Sequence, residues 1–123
     1  VATQPEISPL RITCFENGEL DQAMMMGLTP LAWSPLGGGR LAKPESERDK
    51  AVAAELDRVA GEQGVSRSVA AYSWLMAHPA SIIPIIGSQQ PARIAEAVEA
   101  YKVRWSRQDW YAVLVAARGE RLP

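Results

Sequence analysis

The chain has 123 residues, 47% of them hydrophobic and 22% charged, an ordinary globular composition that excludes a disordered, collagen-like or disulfide-stapled polypeptide. Thirteen Lys and Arg stand against fourteen Asp and Glu, a formal charge of −1, so no uniform field draws the chain to nucleic acid or an anionic membrane, and a charged ligand must be held locally. Cys14 is the single cysteine, which excludes an intrachain disulfide or a multi-cysteine zinc site and makes the cytoplasm the default compartment.

Val1 to Ser8 interleaves β-formers with Pro5, and Pro9 follows; a proline cannot donate to a central ladder, so the run suits a short or frayed strand. Opening on strand sequence at Val1 reads as a piece of a longer protein. Leu20 to Met26 has a helical rhythm stopped by Gly27, with Met24 to Met26 expected in core packing rather than as a ligand set. Leu28 to Trp33 is a brief apolar run bounded by Gly27 and Ser34-Pro35, short enough for a buried strand. Ser34 to Leu41, S-P-L-G-G-G-R-L, is a loop, since three glycines and a proline sustain neither regular structure.

Ala51 to Gly61 returns to helical periodicity, with Val52, Leu56, Val59 and Ala60 on one stripe. Gly64 ends the following turn, and Ser66 caps a second helix to about Ala77 that turns Val69, Tyr72, Leu75 and Met76 inward and closes at His78-Pro79. Ile82 to Ile86 reads as a third buried strand, bounded by Gly87 and far short of the roughly 20 residues that span a bilayer. The N-terminus has no basic-then-apolar signal pattern, so no membrane partner is expected. Pro91 suits the first turn of another helix, and Ser106, with Asp109 three residues on, caps the last. Strands alternating with helices imply a small parallel sheet of three strands joined by crossovers.

Glycine-rich loops after such strands receive phosphates, because backbone N–H groups approach an anion closely only where no Cβ intervenes. Two qualify: Ser34 to Leu41, and Gly87-Ser88 before the helix that carries Arg93, whose guanidinium can fold back onto a phosphate. Neither matches G-x-G-x-x-G or the P-loop. Trp33 sits at the carboxyl end of its strand, where its ring can stack on a planar group or simply fill the core, and Gln4 is placed similarly on the first strand. His78, the only histidine, precedes Pro79 at a helix end and reads as solvated or capping rather than as a general base; Cys14 reads as an inert small hydrophobe. Ala60 to Leu75 has the look of a DNA-binding helix-turn-helix, but Arg67 is its only cation between Glu62 and Met76, too little to hold phosphates, so no nucleic-acid partner is expected.

Four runs, in order and at consistent spacing, carry a resemblance: T-Q-P-E-I-S at Thr3 to Ser8, L-A-W-S-P-L-G-G-G-R-L at Leu31 to Leu41, V-A-G-E-Q-G-V-S-R-S-V-A-A-Y-S-W-L at Val59 to Leu75, and P-I-I-G-S at Pro84 to Ser88 with Arg93 beyond. Over nearly all 123 residues the sequence resembles the C-terminal half of an aldo-keto reductase. The resemblance implies an α/β fold, a partial TIM (β/α)8 barrel with about three parallel strands and four to five helices, residues 1–123 supplying strands six to eight and the N-terminal half being absent. It implies an NADPH-dependent oxidoreductase acting on a small carbonyl substrate. Gln4 would hydrogen-bond the nicotinamide carboxamide and Trp33 would stack on that ring. Ser34, Leu36, Gly37, Gly39 and Leu41 would wrap the pyrophosphate, largely through main-chain N–H groups. Gly87 and Ser88 would lie near the adenosine ribose, Arg93 toward its 2′-phosphate and Glu96 at the adenine amino group. The chain departs from the family pattern at Thr3 and Ala97, each standing where asparagine is common.

The family's hydride transfer uses a Tyr acid tuned by Lys and Asp, with a His orienting the carbonyl, and the resemblance assigns all four to the first half of the barrel. No catalytic residue and no metal ligand is therefore expected here; Tyr72, Tyr101 and Tyr111 fall on predicted helices and match no catalytic position. The competing reading is a non-catalytic nucleotide-binding or self-assembling module, since three strands alone leave two open edges that invite self-association.

Overall fold

A computed structural model of the chain describes residues 2–3, 7–9, 12, 18–32, 41, 43–44, 46–80, 82–84 and 91–118. The described elements run β1 (Ala2–Thr3), α1 (Glu19–Met26), β2 (Thr29–Ala32), α2 (Glu47–Gln63), α3 (Arg67–Met76), β3 (Ile83–Pro84), α4 (Pro91–Val98), a 3-10 turn (Glu99–Lys102) and α5 (Arg107–Arg118). The sheet order is β1-β2-β3. Both pairings are parallel, Ala2 lying opposite Thr29 and Thr3 opposite Pro30, then Leu31 opposite Ile83 and Ala32 opposite Pro84. Helices return the chain between strands, the only economical way to keep neighbours parallel. All strand carboxyl ends therefore share one edge.

Local signals explain the helix limits. The Ser46 hydroxyl accepts the Asp49 N–H at 3.0 Å, and Glu47 and Asp49 place negative charge in the first turn, where the helix dipole favours it. This cap starts α2 about a turn before Ala51, where the apolar stripe alone would begin it. Gly64 closes α2 in the left-handed region at φ 70°, its N–H reaching the Ala60 carbonyl. Ser66 accepts the Val69 N–H at 3.3 Å to open α3, and Ser106 accepts the Asp109 N–H at 3.1 Å to open α5. Pro91 stands at the first position of α4.

Helix α3 is the post around which the rest packs. Every residue from Val69 to Leu75 is buried, and the helix lies against α2, α4, the 3-10 turn and β3. Its partners split the core into two clusters: one built on Ile7, Val52, Leu56, Trp74, Leu75, Ile82 and Val113, the other on Val69, Tyr72, Ala97 and Ala100. A helix enclosed in this way offers no face to a DNA groove. A short turn does join α2 to α3, but Tyr72 and Trp74 are buried in protein.

The C-terminal segment is clamped onto this post by reciprocal bonds. Trp74 Nε1 donates to the Trp110 carbonyl at 3.0 Å and Trp110 Nε1 to the Trp74 carbonyl at 2.9 Å, while the two rings stack with centroids 4.9 Å apart. Trp105 Nε1 donates to Ser73 Oγ at 2.9 Å. The Gln63 amide both donates to the Arg104 carbonyl and accepts its N–H, at 2.5 and 2.7 Å.

Two expectations need correction. Met24, Met25 and Met26 are 43%, 87% and 63% exposed, and α1 instead buries Leu20 and Ala23. Consecutive helical residues are about 100° apart, so three in a row cannot all face one core. In the run expected as a wholly buried third strand, Ile82, just before β3, is buried, but Ile83 is 52% exposed, because successive residues of an extended chain point to opposite faces. Among the described residues, no helix is long and apolar enough to cross a membrane.

Candidate functional site

Parallel strands bring the segments that follow them to one edge of the sheet, where α/β proteins bind ligands. Gln4 follows β1 directly in sequence, Trp33 follows β2, and Gly87 and Ser88 come between β3 and α4. Gln4, Trp33, Ser34, Leu36, Gly37, Gly39, Gly87 and Ser88 lie outside the described residues, and Arg93 is described only as a backbone position in α4.

Leu41 and Glu96 are described, and each is bonded to the first turn of α3. Leu41 is buried, its side chain part of the main core, which leaves its main chain for polar contacts. Its carbonyl accepts from Arg67 Nη1 at 2.6 Å. Glu96 is exposed on α4 and its Oε1 accepts from the Ser66 hydroxyl. The segments that follow β2 and β3 thus both reach two adjacent residues, Ser66 and Arg67.

Arg67 is itself fixed. Its Nε and Nη2 donate to the two carboxylate oxygens of Asp57, each at 2.7 Å, a fork matched to the carboxylate plane. Those hydrogen bonds raise the guanidinium pKa further above its ordinary value and outweigh the opposing effect of partial burial. Arg67 is thereby held to Asp57 and Leu41 through three of its five N–H donors.

From the sequence, Ser66 reads as a cap and Arg67 only as a charge. Their second roles are contacts 30 and 26 residues away, beyond any periodicity; the one available signal is a donor-rich Ser-Arg pair opening a helix between two glycine-rich segments. His78 does cap: its Nδ1 accepts the Ala80 N–H at 3.0 Å, and burial lowers its pKa against the weaker opposing pull of Asp21. That bond occupies the lone pair a general base would use. Among the described residues, no group of three or more His, Cys, Asp or Glu could hold a metal ion. A groove of about 500 Å³ between Met24, His78, Trp105 and Trp110 opens where α3 ends, away from Leu41 and Glu96.

Comparison with known proteins identifies the family and the fold. Residues 1–115 match the aldo/keto reductase family model. A 6-dehydroglucose reductase of Novosphingobium aromaticivorans is 84% identical over 121 residues, covering 98% of this chain and 40% of the relative. A 6-dehydroglucose reductase of Agrobacterium fabrum is 38% identical over 122 residues, covering 99% and 40%. Among solved structures, a thermostable aldo-keto reductase superposes with a TM-score of 0.80 at 20% identity, over 94% of this chain and 39% of that one. The aldose reductase of Giardia lamblia superposes with a TM-score of 0.75 at 22% identity, over 99% and 38%. The chain thus spans about 40% of the length of these curated relatives. Its three-stranded parallel sheet is a part of their (β/α)8 barrel, and the chain belongs to the aldo/keto reductase family of oxidoreductases.

Proposed function

We propose that this chain supplies the cofactor-binding side of a cytoplasmic, NADPH-dependent reductase of a small carbonyl compound, with β1, β2 and β3 as strands six, seven and eight of the barrel. One observation above all supports the reading: the carboxyl ends of three parallel strands share an edge, and Leu41 and Glu96, beyond two of those ends, meet the same first turn of α3. Glu96 suits a nucleotide, since Ser66 engages one carboxylate oxygen and leaves Oε2 to accept from an adenine amino group.

In this reading Gln4 orients the nicotinamide through its carboxamide, and Trp33 stacks on the ring. Ser34, Leu36, Gly37, Gly39 and Leu41 hold the pyrophosphate mainly through main-chain N–H groups. Gly87 and Ser88 border the adenosine ribose, and Arg93 pairs with its 2′-phosphate. When bound, the cofactor supplies the hydride that reduces the substrate carbonyl. The proton donor and the residues that tune it come from outside these 123 residues; Tyr72 is buried in α3, and Tyr101 and Tyr111 lie on the 3-10 turn and α5. The names of the two relatives suggest 6-dehydroglucose as the substrate.

Titration of the full-length protein with NADPH and NADH, alongside NADPH consumption with 6-dehydroglucose, tests this. A charge-assisted bond to the 2′-phosphate is worth about 1.5–3 kcal/mol, so Arg93→Ala should weaken NADPH by roughly 10- to 150-fold and leave NADH almost unchanged. An unaltered NADPH dissociation constant overturns the assignment. The 123-residue chain alone is expected to show no turnover, and measurable carbonyl reduction by it contradicts the division of labour.

A further inference from the structure

Ser66 carries one hydroxyl with two separate engagements. Its oxygen accepts the Val69 N–H and caps α3, while its single proton is donated to Glu96 Oε1. Neither engagement requires the other, because a capping residue needs an acceptor and not a donor. Beside it, Arg67 is held by Asp57 and reaches back to the Leu41 carbonyl. The post on which both residues stand is the buried helix α3.

An exposed glutamate on a helix would otherwise sample several rotamers, each of which a ligand would have to restrain. We infer that Ser66 is a positioning residue for the nucleotide: its hydroxyl holds the Glu96 carboxylate so that Oε2 faces the adenine amino group, and thereby pre-organises adenine recognition. This rests on the cofactor reading proposed above. The cap would be needed in any protein with this helix; the donated proton, bonded to a carboxylate 30 residues away, is what the nucleotide reading explains.

Ser66→Gly in the full-length protein separates the two roles. Glycine caps within a few tenths of a kcal/mol of serine but has no proton to donate. Ordering one side chain in advance corresponds to roughly a threefold to tenfold change in affinity. The variant should therefore raise the NADPH dissociation constant by about that factor with little change in thermal midpoint. Binding of reduced nicotinamide mononucleotide, which lacks adenine, should not change. Ser66→Asn, which caps and also offers an amide donor, should restore NADPH affinity. If Ser66→Gly unfolds, Ser66→Asp keeps the cap and sets a like charge against the Glu96 carboxylate, so it should displace that group and weaken NADPH at least as much, again without changing mononucleotide binding. Unchanged NADPH affinity in a folded variant, or equal weakening of both ligands, overturns the inference while leaving the cofactor reading intact. Failure of the unsubstituted protein to bind NADPH overturns both.

Discussion

Replacing Trp110 by Phe keeps an aromatic ring beside Trp74 and removes one N–H. That N–H donates to the Trp74 carbonyl at 2.9 Å, in the last turn of α3, where helix carbonyls lack an intrahelical donor. The His78 N–H goes to the Leu75 carbonyl at 3.2 Å. Removing one partner of such a pair costs about 1–3 kcal/mol, and shrinking a ring stacked at a centroid distance of 4.9 Å forfeits part of the about 0.5–1.5 kcal/mol of an aromatic pair. Trp110 is only half-buried, so the expected loss is about 2 kcal/mol rather than the sum of the upper values. Urea unfolding of the full-length protein reads this as a lower midpoint at unchanged slope. Combined with Trp74→Phe, the two effects should be non-additive by about 0.5 kcal/mol or more, because both substitutions act on one reciprocal pair. A loss below about 0.5 kcal/mol for Trp110→Phe, or strict additivity, would refute the claim that paired indoles lock α5 onto α3.

Two further outcomes follow from single contacts. Ser46→Ala removes the acceptor for the Asp49 N–H and should destabilise by about 1 kcal/mol, with Ser46→Asp close to the parent; equal midpoints for all three would show that the cap contributes nothing. For His78, burial lowers the folded-state pKa below the ordinary value of 6.5, so the folded protein binds fewer protons than the unfolded chain as acid is added. Stability due to this group is complete above pH 6.5, declines as pH falls toward the folded-state pKa and levels off below it. Protonation also removes the Nδ1 lone pair that accepts the Ala80 N–H. His78→Gln should flatten the acid side of a stability–pH curve measured by urea unfolding; parallel curves for variant and parent would exclude the mechanism.

Much of the fold around the candidate site is legible in residue order. Glycine at 64 and serines at 66 and 106 mark helix ends by conformations and bonds that close within a few residues. Alternation of strand and helix implies the parallel topology, and with it one edge shared by the strands' carboxyl ends. The methionines of α1 are exposed although their sequence reads as core, because a run of apolar residues says nothing about which of them the neighbours cover. The apolar stripe of α2 begins a turn later than its cap at Ser46, so periodicity alone does not mark that helix start.

What the sequence determined by itself was therefore the local and the periodic: which stretches are helices, where they stop, that the strands run in one direction, and which loops carry glycine. Only the tertiary structure decided that α3 would be buried on all sides, that Trp74 and Trp110 would exchange hydrogen bonds 36 residues apart, and that Ser66 and Arg67 would each hold the segment beyond a different strand. The physical reason is range. A cap or a turn is settled by groups a few bonds away, whereas a hydrogen bond across the fold depends on where packing carries two distant backbones, and that depends on the burial preferences of all the elements together.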